Sequence, residues 1–401
     1  KVEAKEWESR VMTWAPGPDI REFPDIFDRD AFGLAQRELK PDGWRMETPI
    51  RLRLLERLRK AGTPLGEYVK GRFYYGIKTG LNEAFVVDRA TRDRLIAEHK
   101  SSAEVLKPFL RGRDVKRWRC EPQDLWLVFT RRGIDIKKYP AIHNHLKPLK
   151  RQLTPGIPGG RKPGSYEWYE IQDNIAYWQE FEQTKIIVPA IVDEVNYAPD
   201  AAAFFSNDKT SIIIPASVPF TLAVVNSSVS WWITRQAFAS KQGGFYEFKP
   251  MYVSSLPIPP IPPDKPHWQT LCERLAEALI WLHSPAGKNA KDAPTGLMIA
   301  YLEQWLNGLV YELFCPGELH ARKLKLFAET ERLNLPDLAK LRVGDKMAAL
   351  QELHERAYDP NSSLRGMLFD LKTLDIVRVI EDVDVTHVAE RQIAEEAGSL
   401  P

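Results

Sequence analysis

Leucine and arginine interleave between residues 49 and 61. Leu52, Leu54, Leu55 and Leu58 fall between Arg51, Arg53, Arg57 and Arg59, a spacing that puts the leucines on the inner face of an amphipathic helix closed by Gly62. From Pro64 to about residue 263 the pattern changes to short β-like runs, 84–87, 125–129, 185–192 and 211–214, separated by glycine and proline. Helical pieces are expected at 91–99, 139–153 and 219–238, the last carrying Leu222, Val225, Val229 and Ile233 at a rough helical step. The run Pro257-Ile-Pro-Pro-Ile-Pro-Pro263 cannot continue a sheet and predicts a stiff strap at a domain edge. Beyond it, 267–283, 296–314, 317–329, 335–353 and 361–378 read as successive helices, followed by an acidic tail from Glu381. Ahead of the first helix, Pro16, Pro18, Pro24 and Pro41 leave a lead-in too punctuated for long elements. The expected class is α+β: a lead-in over 1–47, a strand-rich domain with a mixed sheet and inserted helices over 48–263, and an all-α bundle or spacer over 264–401.

Charge sharpens this division. The 401 residues hold 56 Lys plus Arg against 54 Asp plus Glu, a net of +2, yet 71–165 alone hold 21 basic and nine acidic side chains. A positive centre between mildly acidic ends suits a polyanionic partner. A well-solvated basic face is the plainer alternative.

Several chemistries drop out. Cys120, Cys272 and Cys315 lie far apart with no CxxC pair, which argues against a disulfide framework or a structural zinc site and fits a reducing, cytoplasmic setting. No run approaches ~18 consecutive apolar residues, so neither a membrane span nor a secretion signal is expected. There is no GxGxxG, no GxxxxGK[ST] and no Asn/Asp-Pro-Pro-aromatic tetrapeptide of an adenine-N6 methyltransferase. Asp25, Asp28 and Asp30 lack a strand-borne lysine partner and read as solvated turn residues. His143 and His145 have no Cys or carboxylate close in sequence and point to phosphate or solvent contact. The expectation is a segment without catalytic residues, metal or cofactor of its own. Its first residue is Lys1, not Met, so a piece of a longer polypeptide is expected.

What remains is binding. Arg111, Arg113, Lys116, Arg117 and Arg119 place five cations around Trp118, and Arg131-Arg132 follow after one short apolar run. Lys147, Lys150, Arg151, Arg161 and Lys162 surround a Pro/Gly loop. Cations of this kind track phosphates, and loops of this kind often contact ligands. Residues 71–85 add three glycines with Lys78, Thr79 and Asn82, groups able to donate to phosphate or base edges, or else to close a tight hairpin on their own backbone.

Here the chain becomes recognisable. Gly76-Ile-Lys-Thr-Gly-Leu-Asn-Glu-Ala-Phe85 and Leu106-Lys-Pro-Phe-Leu-Arg-Gly-Arg-Asp-Val115, then Lys185-Ile-Ile-Val-Pro189, Thr210-Ser-Ile-Ile-Ile-Pro215, Leu222-Ala-Val-Val-Asn-Ser227 and Gly244-Phe-Tyr-Glu-Phe-Lys-Pro250, resemble the TaqI-like specificity domain of restriction-modification proteins, in the family's order and over about 48–263. The resemblance implies a double-stranded DNA target-recognition domain that follows a methyltransferase domain using S-adenosylmethionine to modify adenine N6, often in a chain that also bears an endonuclease. Residues 264–401 are similar to the helical extensions of such proteins.

On this resemblance Lys78, Thr79, Asn82, Arg111, Arg113, Lys116, Arg117, Arg131, Arg132, Lys147, Arg151 and Lys241 are expected along the DNA backbone. Asp193, Glu194, Asn196 and Tyr197, after the strand 185–189, are expected to read bases, for example by accepting from cytosine N4 or pairing with adenine. A solvated acidic turn is the bland reading of the same residues. Two other functions stay open: a protein-interaction module of a phage-defence complex, and a single-strand or RNA binder stacking bases on Phe73, Tyr74, Tyr75 and Trp118.

Overall fold

A computed structural model describes residues 7–12, 14, 17–39, 44–288 and 295–382. The lead-in carries more structure than its prolines suggest. Strands Glu8–Val11 and Phe32–Ala35 pair antiparallel around the helix Phe23–Asp30, which carries Asp25, Asp28 and Asp30; Arg10 pairs with Asp28 and Arg29 with Asp30.

The helix Pro49–Lys60 forms as its pattern demands. Thr48 caps it by accepting from Arg51 N, Pro49 sits in the first turn, and Leu54, Leu55 and Leu58 are buried. Gly62 follows where a Cβ would meet the Ile258 carbonyl oxygen at 2.5 Å. That close approach lets strand Thr63–Pro64 pair with Pro257–Ile258. The proline strap therefore does join a sheet. Pro257 stands opposite Pro64, and a two-residue edge pair tolerates prolines that a central strand would not.

The core of the strand-rich part is a four-stranded antiparallel sheet in the order Ala198–Asp200, Lys185–Pro189, Thr210–Ile213, Phe73–Tyr75. Every residue of Lys185–Pro189 is buried, because the sheet is a wall between two apolar clusters. Ile186, Val188 and Ile213 face one cluster; their neighbours Ile187 and Ile212 face the other, as strand alternation requires. A second, mixed sheet orders Phe205–Ser206, Leu106–Leu110, Leu125–Val128 and Val86–Asp88, its first pair parallel. A third joins Ile191–Val192, Phe245–Glu247 and Ser240–Lys241.

The first cluster does not stop at the strap. Leu222, Val225, Val229 and Ile233 share it with Leu271, Leu275 and Leu279 of the helix His267–His283 and with Leu302, Trp305 and Leu309 of the helix Thr295–Phe314. The helical region is thus packed onto the sheet rather than strung from it. Several expected helices are broken. The segment 219–238 splits into Val218–Val225 and Ser228–Ala237, since Ser227 caps the second helix and Asn226 turns its amide onto both backbone groups of Tyr197. Residues 317–329 divide at Lys323, whose φ is 60°. The run 84–87 is half helical turn, Asn82–Phe85, and half strand, Val86–Asp88. The acidic tail beyond Asp382 lies outside the described residues.

Candidate nucleic-acid interface

Strand Leu106–Leu110 ends at Arg111, and the chain turns through Gly112–Asp114 into the pair Val115–Lys116 and Arg119–Cys120. The buried Asp114 carboxylate holds this turn, accepting from Arg111 through the backbone N (2.9 Å), Nε (2.9 Å) and a terminal guanidinium nitrogen (2.8 Å). A Cβ on Gly112 would lie 2.7 Å from the Lys209 carbonyl oxygen, so glycine permits contact with the turn Asn207–Lys209. The other motif reaches the same turn. A Cβ on Gly76 would come within 1.9 Å of the Asn207 carbonyl oxygen, Ile77 N donates to Ser206 O (2.7 Å), and Asp208 N donates to Ile77 O (3.0 Å). The two recognisable sequence motifs converge on Asn207-Asp208-Lys209.

Above this junction lies a groove of about 520 Å³. Arg111, Arg113, Lys116 and Lys209 supply its cations, Asp193, Asn196 and Asn207 its other polar groups, and Ile191 and Phe245 an apolar edge. Arg113 is exposed and forms no ion pair or hydrogen bond among the described residues. Lys209 stands 70% exposed, 3.8 Å from Asp208. The Arg111 side chain stays 29% exposed despite its pairing with Asp114. Charges that stay in water cost little desolvation in the free protein and are available to phosphates, where counterion release supplies affinity.

The expected base readers divide. Asp193 and Glu194 are exposed, and Asp193 lines the groove. Asn196 also lines it, but its Oδ1 accepts from Arg117 N (3.0 Å), which fixes the amide. Tyr197 is a correction: it is 1% exposed in the core, its ring tilted against Phe248, and burial pushes its phenol far above the usual range. Its neighbours Val195, Asn196 and Ala198 are buried with it, so the ring is turned away from any base.

Arg117 also departs from expectation. It faces the helical region, donating to Glu303 (3.2 Å) and to the Asn226 carbonyl (2.8 Å), and burial lowers its pKa against the pull of Glu303 and Glu194. Trp118 is 1% exposed, so it offers no surface for stacking bases. Tyr74 is stacked on Tyr177, ring centroids 4.8 Å apart, while Tyr75 stays open.

The remaining cations form separate neighbourhoods. Thr79 is buried, its hydroxyl donating to Asn82 Oδ1 (2.7 Å) and its carbonyl accepting from Arg161 (2.9 Å), so it has no hydroxyl to offer phosphate, whereas Asn82 itself is exposed. Lys78 lies close enough to Asp173 to oppose the rise that burial causes in that carboxyl's pKa. Arg161, expected beside a binding loop, is buried and donates to five carbonyls, among them Leu153, Thr79 and Glu170; it knits the 154–171 loop to the Gly76–Phe85 motif. Arg132 donates to Gln172 O (2.6 Å), and Arg131 lies over Trp178. Lys147 and Arg151 are exposed on the short helical turns after Pro140–Leu146. His143 packs edge-on against Trp168. Lys241 sits opposite Phe245 on the hairpin beside the groove, 3.5 Å from Glu247.

Sequence reading missed Asn207, Lys209 and Phe245. Asn207-Asp-Lys209 is a polar tripeptide just before an apolar strand, an ordinary turn by composition, and only its meeting with Gly76 and Gly112 gives it a place. Among the described residues no helix is long and apolar enough to cross a membrane, and no group of three or more His, Cys, Asp or Glu could hold a metal ion.

No curated protein matches the sequence. The solved structure of the "Type IIL restriction-modification enzyme MmeI in complex with DNA" is similar over 76% of this chain, at 14% identity and a TM-score of 0.42. The chain spans 40% of that protein's length. The segment that builds the groove's cationic turns, the central strand and the hairpin, residues 107–258, matches the TaqI-like C-terminal specificity domain.

Proposed function

We propose that this chain recognises a double-stranded DNA sequence on behalf of a restriction-modification methyltransferase. The observation that carries the reading is the groove: exposed Arg113 and Lys209 and half-buried Lys116 line it beside Asp193 and Asn196, inside the segment that matches a specificity domain. Phosphate cations next to acceptors and amides are the two ingredients of a sequence-reading surface, the first supplying affinity and the second choice. Arg113, Lys116, Lys209 and the accessible part of Arg111 hold the backbone; Asp193, with Glu194 and Asn196 beside it, inspects base edges.

The finer reading is that the partner domain is an adenine-N6 methyltransferase preceding residues 1–47, using S-adenosylmethionine, in a bacterial phage-defence setting and in the cytoplasm. In this reading the cofactor belongs to the partner domain, and this chain offers a cationic groove that favours a polyanion. Its role is therefore to hold a site while the partner domain extracts and modifies the base.

The test is a mobility-shift selection from a duplex library randomised over a window of base pairs, with the purified chain. The reading requires enrichment of a defined sequence and competition by duplex over single-stranded DNA or RNA of the same sequence. Stronger competition by single strands would replace it with the stacking alternative.

A further inference from the structure

The three-stranded sheet beside the groove has one face that the core does not use. Val192 and Tyr246 are opposite one another and point inward: Val192 is 4% exposed, and Tyr246 packs edge-on against Trp231. Strand alternation then turns Ile191 and Phe245 outward together. Ile191 is 53% and Phe245 37% exposed, and both line the groove. Phe245 stands opposite Lys241 in the hairpin register, and Glu247 on the same face holds Lys241 at 3.5 Å and Lys249 at 3.0 Å. The turn joining the two strands carries Gly243 and Gly244 at φ 81° and 80°, a left-handed geometry that keeps the tip narrow.

An aromatic ring and a branched aliphatic side chain left in water at the lip of a cationic groove need a covering group. Charge chooses it. Arg111, Arg113, Lys116 and Lys209 line the groove with the pair and Lys241 stands opposite Phe245, so the surface suits an anionic partner that also has apolar faces. Stacked base pairs inside a phosphate backbone have both properties. We propose that Phe245, backed by Ile191, is a wedge that enters a base step of the bound duplex and opens it, while the groove cations hold the flanking phosphates. Proteins that insert such side chains offset a few kcal/mol of unstacking by the extra surface the distorted duplex brings into contact. The wedge rests on the DNA-binding reading above and adds to it a mechanical act: the chain deforms the duplex it recognises.

The experiment uses the intact chain and the duplex enriched by the selection, with 2-aminopurine placed at each purine of the site in turn. Wild type should raise 2-aminopurine fluorescence several-fold at one step and leave the others near the free-duplex level. Phe245→Ala should bind within about tenfold of wild type, because the phosphate contacts are untouched, yet leave every position dark. Phe245→Leu, which keeps an apolar wedge, should restore the signal. A Phe245→Ala complex as bright as wild type at the same step, or a wild-type complex that brightens no step, overturns the wedge while leaving duplex recognition standing. Failure of wild type to bind any duplex overturns both.

Discussion

Trp118 Nε1 donates to Glu303 Oε1 at 2.7 Å across 185 positions of sequence. The same carboxylate takes Arg117 through its other oxygen at 3.2 Å, so one glutamate of the helix Thr295–Phe314 fastens the turn between Val115–Lys116 and Arg119–Cys120. Trp118 adopts a left-handed φ of 67°, a conformation that costs a bulky residue roughly 1–3 kcal/mol and persists where its surroundings over-determine it. Glu303 is part of that surrounding, and Arg113 and Lys116 of the groove lie on the chain just before the turn.

Glu303→Ala should lower unfolding free energy by about 2 kcal/mol, since it removes two charge-assisted hydrogen bonds and strands a half-buried guanidinium. Glu303→Gln retains an acceptor for Trp118 and should recover part of the loss. Urea unfolding monitored by fluorescence decides between them, and equal loss for both variants would mean that charge alone matters.

Arg111 and Arg113 are two residues apart and should behave differently. Arg111→Ala abandons the buried Asp114 carboxylate, so both thermal stability and DNA affinity should fall. Arg113→Ala should weaken binding by a few-fold with no change in melting temperature, because among the described residues its side chain has no partner to abandon.

Asp193→Ala should change which sequence is enriched rather than how tightly duplexes bind in general, with about 1–3 kcal/mol of discrimination lost at one base pair. Selection profiles of the Asp193→Ala and Arg113→Ala variants, compared with wild type, separate the roles. The same profile shift in both would remove the distinction.

Lys185 and Asp200 form an ion pair that is 0% and 1% exposed, with the ammonium also donating to Phe181 O. Asp200→Ala leaves that ammonium buried and should cost about 3–5 kcal/mol. Lys185→Met should cost less, because Asp200 keeps Ala202 N and Phe204 N as donors. Chemical denaturation of the two variants gives the order.

His283, at the end of the helix His267–His283, faces Arg119 at 3.2 Å. Burial, reinforced by Arg119, Lys288 and Arg117, pushes its pKa down to about 4, against about 6.5 for a free histidine. Between those values the unfolded chain binds the proton and the folded chain does not, so this group subtracts stability progressively as pH falls from about 6.5 towards about 4. Denaturation midpoints across that range should fall less steeply for His283→Gln than for wild type.

Legibility in the sequence followed periodicity. The helix Pro49–Lys60 and the helix His267–His283 were visible because one face of each is uniformly apolar, and Lys185–Pro189 because both its faces are buried. The breaks at Asn226-Ser227 and Lys323 were not, because a capping hydroxyl, a side-chain amide and a left-handed residue act within a run whose apolar spacing continues. For the interface, Arg111, Arg113, Lys116, Asp193 and Asn196 were legible as charge and amide beside motifs. Arg117 and Arg161 were misassigned because composition reports how many polar groups a segment carries, while packing decides which of them meet a carbonyl or carboxylate of their own chain; Tyr197 was misassigned because its ring is part of the core. Lys209 and Phe245 were invisible because a turn and a hairpin acquire meaning from what they touch.

Salt dependence of duplex affinity tests the central claim most directly. With the selected duplex, log affinity against log salt should fall steeply for wild type, and the combined Arg113→Ala, Lys116→Ala, Lys209→Ala variant should lose about three from that slope, close to 0.9 for each phosphate contact removed. An affinity indifferent to salt, or a triple variant with the wild-type slope, would contradict a groove that grips DNA through these three cations.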